Sequence, residues 1–158
     1  MKRTPLLVLF CAVALAGCAF IKEGAPDLAH PRVVVAPVMV GPKVYLTVGQ
    51  EPVIVVRGGG SAAVTWTLPG DGLRFERGRG VEIVGRIKNP PKYPGQPPSK
   101  IEKPDDSQVR LFTCVTKEDL LEVACTIPPQ VSSGVYAYTI NARNAAGPVV
   151  LDPTMWLD

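Results

Sequence analysis

From Arg32 onward the chain falls into short runs rich in β-branched residues: VVVAPVMV, KVYLTV, PVIVVRG, AAVTWTLP, LRFERG and VEIVGRI, each closed by glycine or proline. Branching at Cβ stiffens a side chain and suits it to a pleated surface, while proline and glycine interrupt a ladder. Many short strands with frequent turn punctuation make an all-β sandwich or barrel. Apart from a possible turn around Glu118 to Leu121, no stretch keeps the 3.6-residue apolar period that a helix requires. The expectation is a β-sandwich of about seven to eight short antiparallel strands over residues 32–158.

One stretch interrupts this texture. Residues 88–107, KNPPKYPGQPPSKIEKPDDS, hold six prolines and four lysines and almost nothing able to fill a core. Such proline density favours extended polyproline II backbone without sheet hydrogen bonds. The segment reads as a long exposed loop between two strands, either a solvated spacer or a recognition arm. In the second case Lys92, Tyr93 and Lys100 are its candidate contact residues. Glu102, Asp105 and Asp106 dilute its charge for anionic lipid or glycan.

The N-terminus carries a different message. Lys2 and Arg3 precede an eleven-residue apolar stretch, Leu6 to Ala16, and then Leu15-Ala16-Gly17-Cys18. That step resembles the bacterial lipobox. The apolar stretch is too short to span a bilayer, which takes roughly 20 apolar residues. The resemblance implies a signal peptide at residues 1–17 and a diacylglycerol-modified, palmitate-bearing Cys18 as the first mature residue. Two or three acyl chains anchor durably. Ala19, rather than Asp, follows the cysteine, which in such lipoproteins points to the outer membrane. Residues 18–31 then read as a lipidated tether. Seventeen basic residues less Lys2 and Arg3 leave fifteen against fourteen acids, so the formal charge falls from +3 to +1. Neither a basic stripe nor a cluster of exposed aromatics remains, and nucleic acid is not an expected partner.

With Cys11 in the signal and Cys18 lipidated, Cys114 and Cys125 remain. An even pair in an oxidising compartment defaults to a disulfide. A redox or metal pair is the alternative, but no CxxC spacing or third ligand accompanies it.

Longer-range similarity appears over roughly residues 43–150. Residues Val44 to Val56 resemble the first two strands of an immunoglobulin-like domain. Val64-Thr65-Trp66-Thr67 resembles the third strand with its core tryptophan, followed by the turn Pro69-Gly70-Asp71-Gly72. Ser133 to Ile140, followed by Asn144-Ala145-Ala146-Gly147, resembles the sixth strand and its outgoing loop. Tyr136 matches the corner tyrosine, and Tyr138 stands where antibody domains have a cysteine. The resemblance implies a sandwich without the inter-sheet disulfide, its core left to Trp66, Tyr136, Ile140 and the valines.

Residues 109–117 and 120–128 read as two strands joined around Asp119, so that residues summing to 239 face each other. This register sets Cys114 opposite Cys125, Phe112 opposite Ile127 and Thr116 opposite Val123 on one face. On the other it pairs Lys117 with Glu122 and Thr113 with Thr126. A cross-strand disulfide fits best at a non-hydrogen-bonded pair, where Cα atoms approach to ~4.5 Å.

Chemistry-bearing groups are sparse. The sole histidine, His30, lies in the tether beside Pro31, so no nucleophilic triad or two-histidine metal site is available. Acid pairs (Asp105-Asp106, Glu118-Asp119, Glu76 with Glu82) sit in turn-like or Pro-rich sequence and read as solubilising. Gly58-Gly59-Gly60 lacks the GK[ST] of a phosphate loop and reads as a flexible connection. Arg74, Arg77, Arg79 and Arg86 surround an expected hairpin with Gly78 and Gly80 near its tip, either a solvated surface or a contact for phosphate or sugar acids. Trp156, in the apolar C-terminal run, either packs onto the sandwich or serves as an exposed anchor.

No catalytic residue, cofactor or metal is expected. The functional expectation is a non-enzymatic lipoprotein facing the periplasm, whose sandwich binds another envelope component or supports its assembly. The alternative is capture of a glycan or an incoming hydrolase, for which a pocket lined by Trp66 and tyrosines would speak.

Overall fold

The computed structural model describes residues 26–70, 72–88, 90 and 107–158. Signal peptide, lipobox and Cys18 lie outside the described residues. So does residue 89 and the stretch 91–106, with Lys92, Tyr93 and Lys100.

The chain is a β-sandwich of two mixed sheets, and no α-helix occurs among the described residues. The strands are β1 (Arg32–Val40), β2 (Lys43–Val48), β3 (Val53–Val55), β4 (Ala62–Thr67), β5 (Arg74–Phe75), β6 (Val81–Arg86), β7 (Thr113–Thr116), β8 (Glu122–Ile127), β9 (Gly134–Asn144), β10 (Gly147–Leu151) and β11 (Thr154–Leu157). One sheet runs β2-β1-β4-β8-β7. The other centres on β9, flanked on one edge by β10 and β11, with β3 beyond β11, and on the other edge by β5 and β6.

Alternation along the strands builds the core. Ala62, Val64 and Trp66 of β4 and Val123, Cys125 and Ile127 of β8 point inward and are buried. Tyr136, Tyr138, Ile140 and Ala142 of β9 meet them from the opposite sheet. Burial of such side chains contributes about 25 cal/mol per Å² of apolar surface removed from water. Trp66 and Tyr138, both fully buried, stack at 5.2 Å between ring centroids, and the indole Nε1–H points to the tyrosine oxygen at 3.4 Å. The Tyr136 hydroxyl donates to Ser132 O at 2.8 Å, four residues upstream, and its ring meets Phe112 edge-on.

The eleven strands exceed the expected seven or eight in part because two lines of strand are interrupted. Along one edge of β9, β10 and β11 are separated at Asp152-Pro153, where proline lacks an N–H for the ladder. Along the other, β5 and β6 both run antiparallel to β9 without pairing with each other. Nor are all pairings antiparallel: β1 lies parallel to β4, and β11 to β3.

Two readings are corrected here. In an immunoglobulin-like domain the third and sixth strands share a sheet. Here β4, with Trp66, is flanked by β1 and β8, leaving no edge for β9, and Trp66 reaches Tyr138 across the core instead. Residues 28–31, expected to belong to a tether, are instead docked on the sandwich. Leu28, Ala29 and Pro31 already accept hydrogen bonds from Val56, Ala63 and Thr65 at 2.8–3.0 Å, and Pro31 is buried. His30 is exposed, with Asp27 3.0 Å away.

The β7–β8 hairpin follows the 239 register: Thr113 pairs with Thr126, Cys114 with Cys125 and Thr116 with Val123. Lys117 N donates to Glu122 O, so alternation makes Cys114–Cys125 a non-hydrogen-bonded pair. Its Cα atoms are 3.9 Å apart and a disulfide joins it. Lys117 Nζ sits 2.6 Å from the Glu122 carboxylate. Val109–Leu111 forms a 3-10 turn instead of strand, and Phe112 lies outside the paired ladder.

Candidate functional site

Strand directions give the sandwich two ends. β1, β4 and β9 start at one end and finish at the other, because β1 and β4 are parallel and β9 closes the same core. The near end gathers Leu28 to Pro31, the 57–60 loop, residues 129–133 and Asp158. The Pro-rich segment also springs from it, since Ile87 N donates to Val135 O and Gln108 Oε1 accepts from Ser132 N. The far end carries the β1–β2 tip, the β9–β10 turn and the segment around Arg74 to Gly80.

The arginines expected around one hairpin are thus distributed. The segment is a broken edge strand: residues 76–80 loop out between β5 and β6, with Glu76 N donating to Asn141 O and Gly80 O accepting from Asn141 N. The Asn141 side chain, buried, pegs this bulge by donating to Arg79 O at 2.8 Å and Glu82 Oε2 at 3.0 Å. Gly80 is dictated by packing, because a Cβ there would stand 2.7 Å from Val123 and 2.9 Å from Phe75. Gly78 turns the bulge at φ +72°, a left-handed value that glycine adopts freely.

Each arginine then has its own situation. Arg79 forks onto Glu82 with two bonds of 3.1 Å, which hold the Glu82 carboxyl below its ordinary range against the opposing effect of burial. Arg86 lies at the near end over Gly134, where any Cβ would collide with its guanidinium. Arg74 and Arg77 remain at the far end. There they meet Arg143, which the sequence does not single out and which stands on β9 directly opposite Arg74.

These three arginines line an open cleft of about 530 Å³ together with Glu76, Leu120 and Asn144. Arg74 Nη1 donates to Gly70 O and Leu73 O at 3.1 and 2.7 Å, which fixes the guanidinium and leaves its Nε and Nη2 edge uncommitted among the described residues. Arg77 is exposed and has no hydrogen-bond or ion-pair partner among the described residues. Among the described residues Arg143 has only Glu76, at 3.6 Å. Like charges directly opposite on paired strands repel, and Glu76, the one carboxylate of the described lining, reaches Arg143 alone. Leu120, on the cleft wall, adopts φ +59°, sterically costly for a side-chain-bearing residue and typical of constrained sites.

Beside the cleft, sharing Asn144, a groove of about 400 Å³ separates the β1–β2 tip from the β9–β10 turn. Its outer wall is an apolar arm. Beyond Val35, β1 pairs only with β2, and Gly41-Pro42 closes the pair. Val38, Met39, Val40 and Tyr45 are 43–63% exposed on this arm.

Trp156 is neither an edge nor a free anchor. It sits half-buried on β11, between Val135 of β9 and Ile54 of β3. Trp66, Tyr136 and Tyr138 are buried in the core and line neither the cleft nor the groove. Among the described residues no three His, Cys, Asp or Glu side chains converge as metal ligands. The site is therefore an open surface, with anion-binding capacity beside an apolar ridge. Compared with known proteins, the chain matches no family model and no curated protein.

Proposed function

We propose that this chain is a bacterial envelope lipoprotein, lipidated on Cys18 after removal of residues 1–17 and held at the outer membrane facing the periplasm. Its sandwich, immunoglobulin-like in the Tyr136 corner, serves as a non-catalytic binding or assembly module for another protein of the envelope.

The observation that carries this reading is the apolar arm. Exposed apolar side chains grouped on a folded domain mark a surface meant to be covered; Val38, Val40 and Tyr45 share one face of the arm and Met39 stands exposed on the other. The arm's placement favours a protein over the anchoring membrane. β1 has nine residues rising about 3.3 Å each, which sets its tip roughly 25–30 Å from the end where the tether enters. The Cys114–Cys125 disulfide accords with an oxidising compartment.

Two measurements test the proposal. Labelled palmitate should be incorporated by the wild type and not by Cys18→Ala. A photo-crosslinking residue in place of Met39 should trap a discrete envelope protein in intact cells, whereas one in place of Thr126, on the opposite flank, should not. Failure to trap any protein from the arm or the cleft would overturn the binding role.

A further inference from the structure

We infer that the Arg74–Arg77–Arg143 cleft is the charged half of the partner-binding surface and takes an acidic segment of a protein, its carboxylates seated on the guanidiniums. This rests on the binding role proposed above and specifies the chemistry of its partner.

The register makes the case. β5 sets Arg74 directly across from Arg143, and the bulge pegged by Asn141 turns Arg77 outward beside them. Like charges directly opposite on paired strands repel, and an incoming anion relieves that repulsion. Guanidiniums suit carboxylates because their planar fork donates two parallel bonds. Arg74 is already oriented for this, with Nη1 held by two main-chain carbonyls and its Nε–Nη2 edge uncommitted among the described residues. Among the described residues the nearby acids are otherwise engaged: Glu76 reaches Arg143 and no other cleft arginine, and Asp119 Oδ1 accepts from Leu121 N.

A protein segment fits better than an anionic glycan for two reasons. The cleft offers no aromatic platform, its only ring, Phe75, being 1% exposed. It is also continuous through Asn144 with the groove under the apolar arm, and one polypeptide can cover both an apolar ridge and a basic cleft.

The test uses the full chain in nonionic detergent and a fluorescein-labelled hexaglutamate peptide followed by anisotropy. Saturable binding of one peptide per chain is expected, weakening with added salt. Arg77→Gln, which removes no hydrogen bond or ion pair among the described residues, should weaken it about tenfold, the loss of one charge-assisted pair. Arg110→Gln, on the exposed 3-10 turn away from the cleft, should leave it unchanged. The inference is overturned if hexaglutamine binds equally, if Arg110→Gln costs as much as Arg77→Gln, or if millimolar inorganic phosphate or an oligouronate displaces the peptide completely. Photo-crosslinkers separate this failure from failure of the binding role. Capture at Met39 with none at Arg77 would sink the acidic segment alone, whereas no capture at either position would sink the role itself.

Discussion

Arginine is used in opposite ways at the two ends of this sandwich. At the near end Arg57 is half-buried and wholly committed: it donates to Asp158 O at 2.9 Å, Pro129 O at 3.3 Å, Ser133 Oγ at 3.0 Å and the Val131 carbonyl. One guanidinium thereby ties the 57–60 loop to the turn after β8 and to the strand end beyond β11. At the far end the one carboxylate of the described cleft lining, Glu76, reaches Arg143 alone, and Arg77 has no hydrogen-bond or ion-pair partner among the described residues. The same side chain is a structural clamp where main-chain carbonyls converge on it. It becomes a recognition group where the scaffold orients it and then leaves donors unused.

Substitution should separate the two ends sharply. Arg57→Met removes four hydrogen bonds and strands the carbonyl of buried Val131, so a loss of about 2–3 kcal/mol is expected from charged hydrogen bonds of this kind. Arg77→Met should change stability by less than about 0.5 kcal/mol, as exposed substitutions do. Urea denaturation of both variants checks the contrast, and equal losses would break it. A step smaller, Gly80→Ala pushes a methyl against Val123 and Phe75 and should cost about 1–3 kcal/mol through overpacking. Asn141→Ala should cost about 1–2 kcal/mol by orphaning Arg79 O. Both should also weaken acidic-peptide binding, because they loosen the bulge that presents Arg77. A stability loss with unchanged binding would mean that the bulge is scaffold only.

What the sequence disclosed follows the range of the interactions involved. The β7–β8 hairpin was legible down to its register because its two strands are joined by a short turn and carry matching sulfurs, charges and threonines. Tyr136 and Trp66 were legible as core residues, since large aromatics within β-branched runs have nowhere else to go. The partners of their strands were not. β4 lies beside β1 through a parallel pairing that leaves no local mark, and that pairing decides the sheet in which Trp66 sits. The segment around Gly78 and Gly80 reads as a hairpin from composition, because a turn and an outward bulge call for the same glycines. Only pairing of both flanks to β9 distinguishes them. Arg143 was missed for the same reason: its role depends on facing Arg74, about 70 residues away in the chain, and its own neighbourhood, NARNAAGP, reads as a loop. Exposure of the β1–β2 arm was equally hidden, since VVVAPVMV and KVYLTV look like core strands until their tip is seen to run past the core.

The smallest expected difference between the ends is their response to acid, and it isolates the bulge. The Glu82 carboxyl is held below its ordinary range, first by the hydrogen bonds from Arg79 and further by Asn141, with burial working against them. A carboxyl whose folded pKa lies below its unfolded one stabilises the fold above the unfolded value, near 4.3, and that contribution fades as pH falls through the folded value. Glu82 is 41% exposed on its side chain, so solvent screens the pair and the effect should be modest. Protonating Glu82 releases Arg79 and weakens the Asn141 peg. The Glu76 amide, bonded to Asn141 O, should then exchange with solvent faster as pH falls through the lowered folded value of Glu82. The clamp at Arg57 has Pro129 O, Val131 O and Ser133 Oγ among its acceptors, none of which titrates in this range. The Ile87 amide, bonded to Val135 O at the near end, should accordingly keep its protection. Glu82→Gln should abolish the far-end acid response while leaving Ile87 unaffected. If both amides lost protection together, the bulge would be no more labile than the clamp, and the division between a structural and a presenting end would fail on the side of dynamics.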